Sequence, residues 1–218
     1  MSDAALEREA RRIHERYQRE IVEAFVFCPF ATKAREDGAT RAIVELHPEP
    51  SLEMALGHVH TLAARGQNEV AFLLFPRWKV ERPALSRFVE RLRSAHQAEP
   101  GGLVMTMEGF HPDAPADVTT PGSLVPFLRR TADPSIQLTR LAVLERVRAS
   151  TGGSTKYVDP GSIDLAALLA APTARSLHER ISEANHRTVL DHGPAAVERV
   201  YADIRRDRDE SYARAERE

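Results

Sequence analysis

The sequence predicts an α/β fold: a small, mainly parallel sheet of three to four strands flanked by helices, with a leading helix and a helical C-terminal appendage. Two observations carry this prediction. Short apolar runs, above all the continuous Val-Ala-Phe-Leu-Leu-Phe of residues 70–75, alternate with longer stretches whose apolar residues recur every three or four positions. Strand and helix alternating in this way give β-α-β-α-β, in which right-handed helical crossovers return each strand parallel to the last.

The leading helix is read over residues 3–27, where Ile13, Tyr17, Ile21, Ala24 and Phe25 mark one face and Arg and Glu fill the rest. It delivers Cys28, the only cysteine, directly before Pro29 and Phe30. Proline pushes the residue before it out of the α region, so Cys28 is expected in an extended conformation at a helix end. Residues 41–46 form a β-rich run closing on His47 and Pro48, and residues 51–65 place Leu52, Leu56, Val59 and Ala63 on a helical stripe ended by Gly66. The run at 70–75 stops at Pro76, too short for a helix and apolar enough for a strand buried on both faces.

Pro83 suits the first turn of the next helix, with Leu85, Phe88, Val89 and Leu92 inward and Pro100, Gly101 and Gly102 ending it. A third strand at 103–107 runs into Gly109, Phe110, His111 and Pro112. The proline-rich stretch 112–134 is too long for a plain connection and reads as the wall of a site. A fourth strand at 136–143, a helical turn at 144–149 and a Gly/Ser/Thr turn at 150–157 follow. Ser162 can cap a short helix at 164–169 stopped by Pro172, and two helices, 174–191 and 194–214, close the chain.

The boundary therefore falls between an α/β domain at 1–150 and a helical extension at 151–218 packed on it. The extension is expected to dock through Leu177, Ile181, Val189, Val197, Val200 and Ile204, with everything from Arg205 onward solvated and dispensable.

Composition narrows the functions. The 218 residues, 42% of them hydrophobic, can bury one sizeable core. Thirty basic residues against 32 acidic ones leave a net charge of -2 and no field to gather nucleic acid or an anionic membrane. No apolar run approaches the roughly 20 residues of a membrane span. One cysteine excludes an internal disulfide, multi-cysteine zinc frameworks and cysteine-held iron–sulfur clusters. A cytoplasmic protein without nucleic-acid or membrane partners is expected, with a homodimer as one open arrangement.

In open α/β sheets ligands gather at the carboxyl ends of strands, which here carry His47, the pair Arg77 and Trp78, and His111. The first functional expectation is a small-molecule enzyme in which Cys28 is the nucleophile and His111, followed by Asp113, is the base. Arg129, Arg130 and Arg140 would hold an anionic substrate group, with Trp78 beside it. A haem protein using Cys28 or His111 as axial ligand is a second expectation. A non-catalytic binding module is a third. His58 and His60, two apart on a helix, point to different faces, cannot form a one-face metal pair and are discounted as ligands. The Gly-Gly-Ser-Thr-Lys of 152–156 lacks Walker spacing and reads as a turn, and the mixed charges of 205–210 read as a solvated helix face.

With Cys28-Pro29-Phe30-Ala31, Phe110-His111-Pro112 and the stretch from Arg130 to Arg140 in view, the chain resembles the bacterial DUF1415 family. The resemblance implies a leading helix ending in Cys-Pro-Phe-Ala, a strand ending in Phe-His-Pro, and a later block to which Arg130, Pro134 and Arg140 correspond. Asn185 and Gly193 echo the family's C-terminal helix. It covers residues 13–149 and part of 180–200. Arg129 stands where the family has Asn, Ala132-Asp133 where it has Pro-Tyr, and Gln137 where it has His. The family carries no assigned reaction, so the resemblance marks a site and implies no chemistry.

Overall fold

The structure, a computed structural model, describes residues 3–28, 30–102, 104–150 and 177–217. The Gly/Ser/Thr turn and the Ser162-capped helix read from the sequence lie outside these. The leading helix is α1 (Asp3–Arg16), continued by a π-helical segment, Tyr17–Glu23. After it come α2 (Ala31–Glu36), β1 (Thr40–Val44), α3 (Leu52–Ala64), β2 (Val70–Leu74), α4 (Arg82–Gln97) and β3 (Met105–Phe110). Then follow α5 (Leu124–Leu128), β4 (Ser135–Arg140), α6 (Leu141–Ser150), α7 (Leu177–His192) and α8 (Pro194–Ala215).

The fold is α/β as expected, but its four-stranded sheet, ordered β1-β2-β4-β3, is mixed and not mainly parallel. β1 and β2 pair in parallel across α3, while β4 pairs antiparallel with both β2 and β3. A parallel neighbour needs a crossover that carries the chain back to the starting edge. The segment between β3 and β4 does not cross: His111 N–H bonds Arg129 O and Phe75 N–H bonds Pro134 O, so the loop and α5 stay at the carboxyl edge. The chain then re-enters the sheet reversed. β3 still runs in the same direction as β1 and β2, on the far side of an inserted strand.

Alternation along the strands makes two cores. On one face Leu73, Met105, Met107, Ile136 and Leu138 meet Val59, Leu62, Leu85, Val89 and Leu92 of α3 and α4. Gly109 lies close to α4, with Val89 Cγ2 3.4 Å from where a Cβ would stand. On the other face Phe110 joins Leu6, Ala10, Ile13, Tyr17 and Ile21 of the leading helix, together with Val189, Val197, Tyr201 and Ile204 of the C-terminal helices. The spacing of the leading-helix residues is the helical stripe the sequence shows. Two tyrosines fix α5: Tyr17 donates to Leu128 O at 2.9 Å and Tyr201 to Phe127 O at 3.2 Å, meeting carbonyls that a helix end leaves free.

The C-terminal helices dock through Val189, Val197 and Ile204 as expected. The solvated tail is corrected. Ser211, Tyr212 and Ala215 are buried, and Arg208 and Tyr212 reach the buried Asp133, donating to its carboxylate at 2.9 and 2.5 Å. A charged stretch hid this anchor, because the partner carboxylate is distant in sequence.

Candidate functional site

Cys28 sits where the leading helix unwinds. The π segment shifts the hydrogen bonds to five-residue spacing, with Ala24 N–H on Arg19 O and Phe27 N–H on Val22 O. Val26, 62% exposed, then takes φ 52. A β-branched residue in the left-handed region is strained, and such strain gathers at sites that need a particular backbone. Phe27 turns into the core, and Asn185 of α7 donates to its carbonyl at 3.0 Å, which clamps the turn.

Beside this turn, on the face of β3 and β4, lies a cavity of about 270 Å³. Its walls include Tyr17, Cys28, Phe110, Arg129, Gln137 and Asn185. Glu108 and Ser182 add further polar groups, while Val22, Leu124, Val125 and Ile181 supply apolar ones. Arg129 donates to Glu108 at 2.8 Å and lies 5.9 Å from the centre of the Phe110 ring. The Gln137 amide donates to Thr139 Oγ1 at 3.2 Å. A second, smaller hollow shares Tyr17, Cys28 and Gln137, so the sulfur stands between the two.

Cys28 is open to solvent by area. The protein around its sulfur nevertheless raises the thiol pKa through desolvation, and the Phe30 and Ala31 backbone groups offset only part of that. The thiol is therefore the resting form, not the thiolate that a cysteine nucleophile needs. Burial likewise pushes the Tyr17 hydroxyl up, so it serves as a neutral hydrogen-bonding group and not as a base.

The expected pairing of Cys28 with His111 is lost. Phe110 faces the cavity side of β3, and His111, one residue on, faces the other side, where its Nε2 meets Val80 O at 2.8 Å. Its Nδ1 accepts from the Asp113 N–H at 3.1 Å, so Nε2 carries the proton and donates. Both nitrogens are spent on backbone groups, one in the β2–α4 connection and one in its own loop. Asp113 is exposed and contributes its backbone to this contact, not its carboxylate.

The expected arginine wall also divides. Arg129 lines the cavity, as read. Arg130 does not: it is 8% exposed, stacked 5.6 Å from Phe127 and 5.2 Å from Tyr201, and ion-paired with Glu198. Arg140 closes the end of α3, donating to Ala63 O at 2.9 Å and Asn68 O at 3.0 Å. Because β4 runs antiparallel, its last residue lies at the sheet edge opposite His111. Trp78 packs edge-on to Phe75 and Phe88, at 5.3 and 5.0 Å, within the core on the other face.

Sequence reasoning missed Tyr17 and Glu108 and saw Gln137 only as a departure from a family pattern. The available signal was alternation: Gln137 lies between Ile136 and Leu138, and Glu108 follows Met107, so both polar residues must face away from the core those neighbours fill. No protein-family model, no curated protein and no solved structure matches the chain.

Proposed function

We propose that the chain binds a small molecule with one anionic end in the cavity at Cys28, whose thiol forms part of the wall. The cavity itself carries this reading. It falls just below the roughly 300–1,000 Å³ of pockets that hold drug-sized ligands, which fits a compact metabolite. Phe110 and Leu124 supply apolar contact, Asn185 and Gln137 neutral hydrogen bonds, and Arg129 the one cation of the lining among the described residues. Its present partner Glu108 is half exposed, and an exposed pair is worth at most about 1 kcal/mol, so a ligand carboxylate displaces it at little cost.

The haem alternative fits this geometry poorly, since His111 has no free nitrogen and the space at Cys28 is small for a macrocycle. The DUF1415 resemblance supports the same corner, because the leading-helix block and Asn185 meet through the bond to Phe27 O. A cytoplasmic location belongs to this reading, supported by the free thiol. Among the described residues no helix is long and apolar enough to cross a membrane.

The test is a panel of small carboxylates, benzoate and hexanoate among them, read by calorimetry and by the alkylation rate of Cys28. A binder should slow alkylation, and Arg129→Ala should weaken it by about tenfold, the scale of a charge-assisted hydrogen bond. Arg130→Lys, outside the cavity, should not. A panel without a binder, or a binder indifferent to Arg129 and to alkylation, overturns the proposal.

A further inference from the structure

We propose that His60, His96 and Glu99 form a second site, for a divalent transition-metal ion of the zinc type, on the opposite side of the sheet from the cavity. α3 and α4 lie side by side over that face. His60 projects from α3, His96 from the last turn of α4, and Glu99 follows three residues later. His60 Nε2 already touches Glu99 Oε2, and the two imidazole centres are 6.3 Å apart. One donor atom from each of the three residues lies within 4.8 Å of the others. With metal–ligand bonds of about 2.0–2.2 Å, donors on one tetrahedral ion stand about 3.3–3.6 Å apart. Small rotations of His60 and Glu99, both with solvent around them, close that difference.

The second observation is a buried nitrogen without a partner. His96 is 4% exposed, and its Nδ1 has no hydrogen-bond partner among the described residues. Its Nε2 accepts from the Val104 N–H at 3.3 Å, a long contact. Folded proteins rarely leave such an atom unmet, and a bound ion is one of the standard answers. With Nε2 accepting, Nδ1 carries the ring proton, so a cation binds at Nδ1 in the other tautomer. The ring proton then resides on Nε2, and the Val104 amide gives up its contact.

The neighbouring histidine provides the contrast. His58 Nε2 stands 2.8 Å from Glu45, whose other oxygen accepts the His47 N–H at 2.8 Å, so that pair is complete as it stands. The two helical histidines do point apart, as their spacing requires, yet one of them meets ligands brought by the next helix. Two imidazoles and one carboxylate select zinc, cobalt or nickel over calcium or magnesium, which prefer all-oxygen shells. Three protein ligands leave a fourth position for water or a small ligand.

The experiment uses the full chain, stripped with a chelator and titrated with Co²⁺ and then Zn²⁺. Expected are about one equivalent of Co²⁺ with visible bands of a four-coordinate ion, displacement by Zn²⁺, and a shift of the Val104 amide resonance on Zn²⁺ binding. His60→Ala and Glu99→Gln, at solvent-reached positions that spare the core, should each weaken Zn²⁺ by about 100-fold or more, beyond the roughly 10–100-fold of outer-shell changes. His58→Ala should bind as the parent does. Absence of the cobalt bands at millimolar metal, or unchanged affinity in His60→Ala, overturns the site.

Discussion

His14 shows how far the fold will go to complete a core. Its ring packs 4.4 Å from the centre of Phe72, and its Nε2 is buried with no partner among the described residues. Burial holds the imidazole neutral and lowers its pKa from 6.5 to about 4. Between those values the unfolded chain binds a proton the folded chain refuses, so this contribution to stability is full above pH 6.5 and falls as the pH drops toward 4. The loss can reach about 3 kcal/mol. His14→Phe keeps the aromatic contact and removes both the orphaned nitrogen and the titration. In urea melts at pH 7.5 and 4.5 the variant should lose much less stability than the parent. Equal losses in the two would place the acid sensitivity elsewhere.

At the scale of elements, the end of α8 carries the largest correction to what the sequence suggests. Arg208 and Tyr212 hold the buried carboxylate of Asp133, and Arg208 also reaches Pro76 O at 3.3 Å. Truncation after Arg206 would leave that carboxylate buried without these partners, a loss on the order of 3–5 kcal/mol. The truncated chain should therefore melt well below the parent at unchanged oligomeric mass. Tyr212→Phe, which removes one hydrogen bond to a charged group, should cost about 1.5–3 kcal/mol. A truncation that melts with the parent would return the tail to solvent. The elements themselves were legible, since the stripe of Ile13, Tyr17 and Ile21, the run at 70–75 and the Leu85 to Leu92 face all follow local periodicity. Strand direction was not legible. Nothing local in Ile136 to Arg140 says whether the preceding loop crosses the sheet, and that one unknown misplaced Arg140. Cys28 and Arg129, which line one cavity, could be singled out because proline and charge mark them, whereas the face taken by His111 depended on where β3 begins its alternation.

The whole molecule is joined at its ends. Asp207 of α8 accepts from Arg12 Nη1 and Nη2 at 2.7 and 2.8 Å and from Arg16 Nη1 at 2.7 Å, while Arg16 also reaches Asp203 at 2.8 Å. This network ties the first helix to the last across the outside of the core they share, the layer that also walls the cavity through Tyr17 and Asn185. The hydrogen bond from Arg12 holds the Asp207 carboxylate down at about 2. A folded pKa below the unfolded value of about 3.9 means the stabilisation is complete above pH 4 and disappears as the pH falls through 2. Solvent reaches these side chains, so the full shift overstates the contribution, and about 1 kcal/mol is the expected scale. Asp207→Asn should lower the melting temperature at pH 7 by about 2–4 °C for a chain of this length. Raising the salt concentration should narrow that difference, because the pair is screened. Below pH 2 the parent carboxylate is itself protonated, and the two proteins should melt together. A difference that persists there would mean Asp207 acts through packing and not through its charge, and that the two terminal helices are held by their apolar faces alone.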